Sequence, residues 1–478
     1  MNSLKKYDLI VIGFGKAGKT LADKVASDGY SVAVIEKDNT MYGGTCINVG
    51  CLPTKSLVHR AKISESSWRI NHHRTWEDNK QIFRDAIIEK DRMTTFLRGK
   101  NYQKLDTYPN VEIIDASASF ENANEIKLVF NNGQEEIVEG KVIVINTGSQ
   151  SRILTLPGFE SNEHVHDSRS ILNIHELPKR LAIIGAGYIG LEFASYFREF
   201  GSKVVVLQHD DRFLPREDSE DSAAVLQRLE KLGIQFIFNA KTNSLENITS
   251  KDDSELNLRL NYSVADDPYS IDVTNVLVAV GRSPLTDGLN LEAVGIETGR
   301  AGEVIVDDGL RTSVDNIFAV GDVKGGPQFT FISLDDFSIV YPQVKAMLEN
   351  NTDRVINENH NRNNRPIYPN TTFIDPPYSR IGLSEEEAKA KYDNVKVKKM
   401  PAAAVPKAQV VQETDGFLKV IIDEETDLVL GAVLFCHESH EMINIFNLAI
   451  NEGITATRLG QLIYNHPVMS EALNELLP

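Results

Sequence analysis

The chain writes one local pattern twice. Val11-Ile12-Gly13-Phe14-Gly15-Lys16-Ala17-Gly18 leads into a helical run and then into Ser31-Val32-Ala33-Val34-Ile35-Glu36. Ile183-Ile184-Gly185-Ala186-Gly187-Tyr188-Ile189-Gly190 does the same and ends in Lys203-Val204-Val205-Val206-Leu207-Gln208. From Gly13 to Glu36 is 23 positions, and from Gly185 to Gln208 is also 23. Each copy reads as strand, glycine turn, helix and parallel strand, so the chain must build two crossover units of an α/β fold. One G-x-G-x-x-G alone is weak, because glycine turns also occur where nothing binds; two copies with one spacing are specific. The first glycine makes the tight turn, the second lets backbone approach a pyrophosphate, and the third lets helix pack on strand. The helix N-terminus then faces the anion. Gly13, Gly15, Gly18, Gly185, Gly187 and Gly190 are therefore candidate dinucleotide contacts.

The two acceptor positions differ. Glu36, followed by Lys37, ends the second strand of the first unit, where a carboxylate accepts from both ribose hydroxyls; that suits the AMP half of FAD. The second unit has Gln208 there, then His209, with Arg212 and Arg216 further on. Without a carboxylate a 2′-phosphate is not repelled, so NADPH as well as NADH fits.

Cysteine occurs three times in 478 residues. Cys46 and Cys51 share the stretch Gly43-Gly44-Thr45-Cys46-Ile47-Asn48-Val49-Gly50-Cys51-Leu52-Pro53-Thr54-Lys55, about one βαβ length after the first fingerprint. That combination suggests a dithiol exchanging electrons with a bound cofactor. Metal ligation is the alternative, but no second Cys pair exists and a zinc site would need distant histidines. Pro53 suits the first turn of a helix, which places Cys51 near a helix start where partial positive charge favours a thiolate. Cys436 reads as a buried structural thiol. His437 and His440 beside it read as subunit-interface residues, with a copper site as the alternative, and no metal site is expected.

The rest of the chain completes the architecture. A length of 478 residues exceeds one core and implies two to four domains. Residues 68–105 read as helical, and 111–145 as short strands with a turn at Asn131-Asn132-Gly133. Val142–Gly148, with Thr147 and Gly148 at its end, is a buried strand running into a loop; 276–282, ending in Gly281 and Arg282, repeats it, and Asn316–Asp322 ends on Gly321 and Asp322. The Asn-, Arg- and Pro-rich stretch from Val355 to Asn370 reads as an interdomain linker. The expected fold class is α/β, with two Rossmann-like dinucleotide-binding domains and a distinct C-terminal α+β domain. Its boundaries are 1–156 and 282–354 for the two parts of an FAD domain, 157–281 for an NAD(P) domain, and 366–478 for the C-terminal domain. A net charge of −18 argues against nucleic acid as a partner. Sparse cysteine fits a reducing cytoplasm. Tyr7–Gly13 reads as a buried strand and not a signal peptide, and no apolar run reaches membrane-spanning length without a charge.

Taken in order, the first fingerprint, the GGTCxNxGCxPTK dithiol, the second fingerprint, the Gly-Asp strand end and the terminal His-Pro resemble the class I pyridine nucleotide–disulfide oxidoreductases. That family includes glutathione reductase, dihydrolipoamide dehydrogenase and mercuric reductase. Gly13–Thr20, Met41–Gly44, Phe329–Asp336, Ser439–Asn444 and His466–Glu471 are similar to its RclA-type, reactive-chlorine-resistance branch. The resemblance implies that Cys51 lies under the flavin and Cys46 meets the substrate. It implies that Lys55 and Glu192 pair near the flavin, although neighbouring families place the lysine one residue earlier. Gly44 and Thr45 would line the flavin site, Tyr188 would cover it until nicotinamide arrives, and Asp322 would hold the ribityl chain. The resemblance makes the C-terminal α+β domain, 366–478, a dimerisation domain, and His466 and Glu471 would be supplied by the partner subunit of a homodimer. Asp335 and Asp336 read as a helix-start pair near the flavin.

Substrate classes narrow by exclusion. After Cys436 there is no cysteine, so the C-terminal thiol pairs of mercuric reductases and large thioredoxin reductases are absent. Asp23 and Lys24 stand where glutathione reductases carry arginines. The resemblance then implies a small oxidant: hypothiocyanous acid, another reactive-chlorine species or Cu(II), in oxidative-stress defence. A dihydrolipoamide dehydrogenase or general disulfide reductase is the alternative enzyme, and a flavin-bearing redox sensor the alternative of another class.

Overall fold

The computed structural model describes residues 4–70, 74–160, 162–249, 256–351 and 356–477. Val355, where the expected linker begins, lies outside the described residues; 356–369 carry neither helix nor strand. The chain divides into two compact units. One comprises Met1–Ser56, Ile87–Arg152 and Gly281–Arg365; the other comprises Leu57–Ala86, Ile153–Val280 and Pro366–Pro478.

In the first unit β1 (Lys5–Ile12) feeds α1 (Lys16–Ser27) and β2 (Val32–Glu36). After two helices, α2 (Thr45–Asn48) and α3 (Cys51–Ile70), comes α4 (Trp76–Asp106), the stretch Leu57–Ala86 of α3 and α4 belonging to the other unit; then follow strands β3 (Val111–Phe120), β4 (Glu125–Phe130) and β5 (Glu135–Ile145). The helix expected over 68–105 is thus the end of α3 and all but the last residue of α4, with 71–73 outside the described residues. β1 lies between β2 and β5, parallel to both, and β5 also pairs parallel with Ile317–Ala319. β2 pairs parallel with the first half of β3, and β4 runs antiparallel between β3 and β5. Leu9, Ile10 and Val11 are wholly buried, as a parallel strand covered on both faces requires. Ile12 pairs with both Ile35 and Ile145, so the C-terminal ends of three strands finish level. Ligands of doubly wound sheets bind at that edge.

The second unit repeats the design. Its parallel sheet runs in the order Ile234–Ile237, Lys203–Leu207, Arg180–Ile184, Asn275–Val278, Val165–His166. Helix α5 (Tyr188–Phe200) is the crossover, and α6 (Ser219–Lys231) follows. A five-stranded antiparallel sheet, Asn370–Thr372, Tyr378–Gly382, Val429–Phe435, Phe417–Asp423 and Val395–Pro401 in spatial order, carries helix Ser439–Asn451 against it. No helix among the described residues is long and apolar enough to cross a membrane.

Two acids at the start of the long helix α7 (Thr330–Leu348) anchor the end of the first unit. Asp336 is fully buried, accepts from the Gly321 amide at 2.7 Å and from Arg365 at 2.5 Å, and pairs with Lys324 at 3.3 Å. Asp335 takes Arg365 and His360. Arg365, in the expected linker, is therefore a fastening for the Gly321–Asp322 turn.

Candidate active site

The dithiol sits on two helices joined by a tight return. Cys46 is in α2 and Cys51 is the first residue of α3. Asn48 fixes the turn between them: its amide donates to the carbonyls of Tyr42 and Gly44, both at 2.9 Å, and its oxygen accepts from Arg98 Nε at 2.8 Å. Gly44 adopts φ +79°, and a Cβ there would lie 2.7 Å from Gly15 Cα, so the loop rides on the first fingerprint turn. Only glycine permits that approach.

Both thiols are unbridged, Cys46 half-buried and Cys51 exposed. They are not equivalent. The Cys51 thiol is drawn down to about 6: the hydrogen bond from Cys46 leads, burial opposes it, and Thr330 Oγ1 at 3.3 Å and the Lys55 ammonium assist. The same hydrogen bond and burial push Cys46 up. The pair therefore loses its first proton as one thiolate on Cys51 with Cys46 as donor.

Around it stand the first-fingerprint residues. Gly13 adopts φ +101°, and its Cβ would meet the Asn146 carbonyl at 2.5 Å. Glu36 Oε2 accepts the Phe14 amide at 3.0 Å, and burial holds the carboxyl above its usual range. Helix α1 starts at Gly15 with no side-chain cap, so its first amides are left for an anion. Gly18 packs tightly on Val11 and Asn146. Thr147 Oγ1 donates to Leu285, Lys37 is exposed, and Thr45 is half-buried. Ser149 Oγ donates to Asp322 at 2.6 Å and accepts from Arg282 Nε at 2.9 Å, which joins Gly148, Gly281, Arg282, Gly321 and Asp322 into one corner.

The second fingerprint copies this geometry in the other unit. Gln208 Oε1 accepts the Ala186 amide at 3.0 Å, the counterpart of the Glu36 contact. α5 begins at Gly187, again uncapped, and a Cβ on Gly187 would meet nothing within 4 Å. Gly185 takes φ +106° and Gly190 packs on the Gly185 carbonyl. These features fit a second dinucleotide. His209 is exposed, with Asp210 at 3.3 Å. Glu192 is buried and accepts the Phe373 amide at 2.9 Å. Tyr188 donates to Glu217 at 3.2 Å, and Glu217 also receives Tyr378 at 2.7 Å and Arg380 at 3.1 Å.

His466 and Glu471 come together: Nδ1 lies 2.6 Å from Glu471 Oε2, while the ring is 72% exposed. The carboxylate thus fixes one ring nitrogen and leaves the other free. Cys436 is wholly buried, with its thiol pushed up to about 12 by burial. His437 is bound to Glu413 at 2.6 Å and His440 packs on Phe373. No group of three or more metal-binding side chains gathers among the described residues. Arg98, Ser149 and Glu217 carry no sequence signal of their own, and Asn48 and Thr330, though inside quoted motifs, show their roles only through contacts made in the fold.

Residues 7–335 match the pyridine nucleotide-disulphide oxidoreductase family, and 368–477 match its dimerisation domain. The probable pyridine nucleotide-disulfide oxidoreductase RclA of Escherichia coli is 40% identical over 99% of both chains. Dihydrolipoyl dehydrogenase 3 of Pseudomonas putida is 33% identical, covering 99% of this chain and 97% of its own. Among solved structures, the Cu(II) complex of the HOCl-induced flavoprotein disulfide reductase RclA from Escherichia coli aligns with a TM-score of 0.88, 38% identity and 99% coverage of both chains. The chain belongs to the pyridine nucleotide-disulphide oxidoreductases, a family of FAD-dependent enzymes that use NAD(P)H and carry a C-terminal dimerisation domain.

Proposed function

We propose that this chain uses NAD(P)H to reduce a small oxidant, in the first place hypothiocyanous acid, at Cys46. One observation carries the reading. The only thiol outside the pair, Cys436, is wholly buried and holds its proton to about pH 12, so electrons must leave at the dithiol itself. Likeness to the HOCl-induced reductase supports the class of oxidant. Gly13, Gly15, Gly18 and Glu36 would hold FAD, with Lys37, Gly44, Thr45, Thr147, Gly148, Gly281, Arg282, Gly321 and Asp322 around it. Gly185, Gly187, Tyr188, Gly190, Gln208 and His209 would hold the nicotinamide nucleotide. FAD, when bound, supplies the route by which a hydride becomes an electron pair at the disulfide.

The protein's own steps then balance. The Cys46 thiolate attacks the sulfur of HOSCN, forming Cys46–S–SCN and releasing hydroxide, which takes a proton to become water. The Cys51 thiolate attacks the Cys46 sulfur, closing the disulfide and releasing thiocyanate. Two electrons from NAD(P)H restore the dithiol. Lys55 and Glu192 support the flavin side of the site. The partner subunit's His466, oriented by the partner subunit's Glu471, accepts the Cys46 proton.

Steady-state NAD(P)H oxidation with hypothiocyanous acid, lipoamide, glutathione disulfide and Cu(II) side by side tests the reading. Turnover should be fastest on hypothiocyanous acid. Fast turnover on lipoamide alone would identify a dihydrolipoamide dehydrogenase, and none on any substrate a sensor. His466→Ala should slow the oxidant half-reaction by about a hundredfold, as loss of a general base does, and leave flavin reduction nearly unchanged. Stopped-flow measurement of the two halves separates them, and equal slowing of both would remove that role.

A further inference from the structure

Lys19 is a half-buried lysine in the first turn of α1 that neither fingerprint requires. Its ammonium donates to the Gly43 carbonyl at 3.3 Å and to Asn101 Oδ1 on α4. Asn101 is itself locked, donating to Leu97 O at 2.7 Å. Gly43 precedes Cys46 by three residues, and a Cβ on Gly43 would lie 3.1 Å from Ile47, the neighbour of Cys46. Its two acceptors lie on the dithiol loop and on α4, and that loop rides on the Gly13–Gly15 turn. The ammonium is therefore pinned at the base of the turn that carries Cys46.

Its electrostatics are unusual for this molecule. The buried lysines have carboxylates at hand: Lys324 has Asp336 at 3.3 Å, Lys419 has Asp221 at 2.5 Å and Lys90 has Asp91 at 2.6 Å, and the half-buried Lys62 has Glu413 at 2.6 Å. Among the described residues Lys19 pairs with no carboxylate; the groups that bear on it most are Lys16 on its own helix, Cys46 on α2 and Lys104 on α4, the last itself paired with Asp23 at 2.5 Å. A desolvated ammonium beside two other cations is stabilised by an anion. Burial draws Lys19 down to about 8, the two lysines adding to it and Cys46 opposing, so it remains charged at neutral pH.

We propose that Lys19 is a positioning residue for the oxidant half-reaction, its ammonium stabilising the thiolate form of Cys46. This rests on the reading of Cys46 as the thiol that meets the oxidant, and gives that thiol a cation within its own subunit. It also explains how Cys46 ionises at all in a pair whose first negative charge settles on Cys51.

The test uses the FAD-loaded full-length chain with Cys51→Ser, which leaves Cys46 as the one thiol of the pair. Its alkylation by iodoacetamide is followed by peptide mass across neutral to alkaline pH, with flavin content read by absorbance. Lys19→Met should slow alkylation at neutral pH by about three- to tenfold and move the profile to higher pH, the difference closing once Cys46 ionises unaided. Lys19→Arg should restore most of the rate. Asn101→Asp keeps the lysine but hands it a carboxylate, and should move the profile the same way as Lys19→Met. It serves also if Lys19→Met does not fold. A profile unmoved in Lys19→Met or in Asn101→Asp overturns the proposal, as does loss of flavin from Lys19→Met, which would make Lys19 a cofactor anchor. Oxidant turnover surviving Cys46→Ser would instead overturn the functional reading, whatever Lys19 does.

Discussion

Cys46→Ser is expected to lower oxidant-dependent NAD(P)H consumption by on the order of a thousandfold or more, the scale seen when a nucleophile is removed from a working constellation. Reduction of bound flavin by NAD(P)H should continue at nearly the parent rate. The asymmetry of the pair sets this outcome. Cys51 carries the stable thiolate, yet Thr330 at 3.3 Å, the Cys46 donor and Lys55 all serve to hold that charge where it is. A thiolate stabilised in this way is a poor substitute for a thiol that must attack an incoming oxidant. Serine is the informative replacement because its hydroxyl still donates to Cys51. Cys46→Ala removes the donor, so the Cys51 thiol should rise from about 6 towards its ordinary value.

The sign of the pH dependence follows. In the reduced dithiol the Cys51 thiolate is present above about pH 6 and lost below it; in Cys46–S–SCN the Cys46 donor is gone and only Thr330 and Lys55 still favour the charge, so resolution should fail on acidification at a pH above that value. Rapid mixing of reduced protein with hypothiocyanous acid at several pH values reads this step directly. Full activity in Cys46→Ser would remove the dithiol mechanism altogether.

Much of this site was legible in the sequence because its parts are local. Equal spacing from Gly13 to Glu36 and from Gly185 to Gln208 became equal geometry, with each strand-end side chain accepting the amide of the second fingerprint residue at 3.0 Å. The turn between Cys46 and Cys51 is local too, closed by Asn48 over contacts of four and six positions. What composition and spacing do not carry is any partner chosen by tertiary register. Thr330 stands 279 positions from Cys51, and Asn101 stands 82 from Lys19. Arg365 falls in a stretch with every mark of a loose linker, yet it closes on two acids of α7. Glu217 gathers Tyr188 from α5 and Tyr378 and Arg380 from the strand Tyr378–Gly382. Such groups follow from packing, and nothing in the chain's periodicity distinguishes them from surface polar residues.

Lys419→Met is expected to destabilise the protein by about 3–5 kcal/mol, the cost of leaving a buried charge without its partner. Lys419 lies in Phe417–Asp423, nearly 99% buried, with Nζ 2.7 Å from Asp218 and 2.5 Å from Asp221. The two acids fare differently without it. Asp218 keeps two amide donors, Glu385 at 2.9 Å and Glu386 at 3.1 Å, at the start of helix α8 (Glu385–Lys391). Asp221 is fully buried and, among the described residues, keeps an ion pair only with Lys399, at 3.6 Å, so it carries most of the penalty. Burial already holds the Asp221 carboxyl above its usual range, with Lys419 opposing; removing the lysine raises it further. A folded value above the unfolded one means that the native state binds the proton more tightly, so stability is lost as pH rises through that interval. The gap between variant and parent should therefore widen from mildly acidic to neutral pH. Urea denaturation of the FAD-loaded protein, followed by circular dichroism at both pH values, measures it. Adding Asp221→Leu removes the stranded charge and should recover most of the loss, because a buried ion pair replaced by apolar groups is close to neutral. A double variant no more stable than Lys419→Met would show that the lysine acts through packing of its stem, and the charge argument would fall.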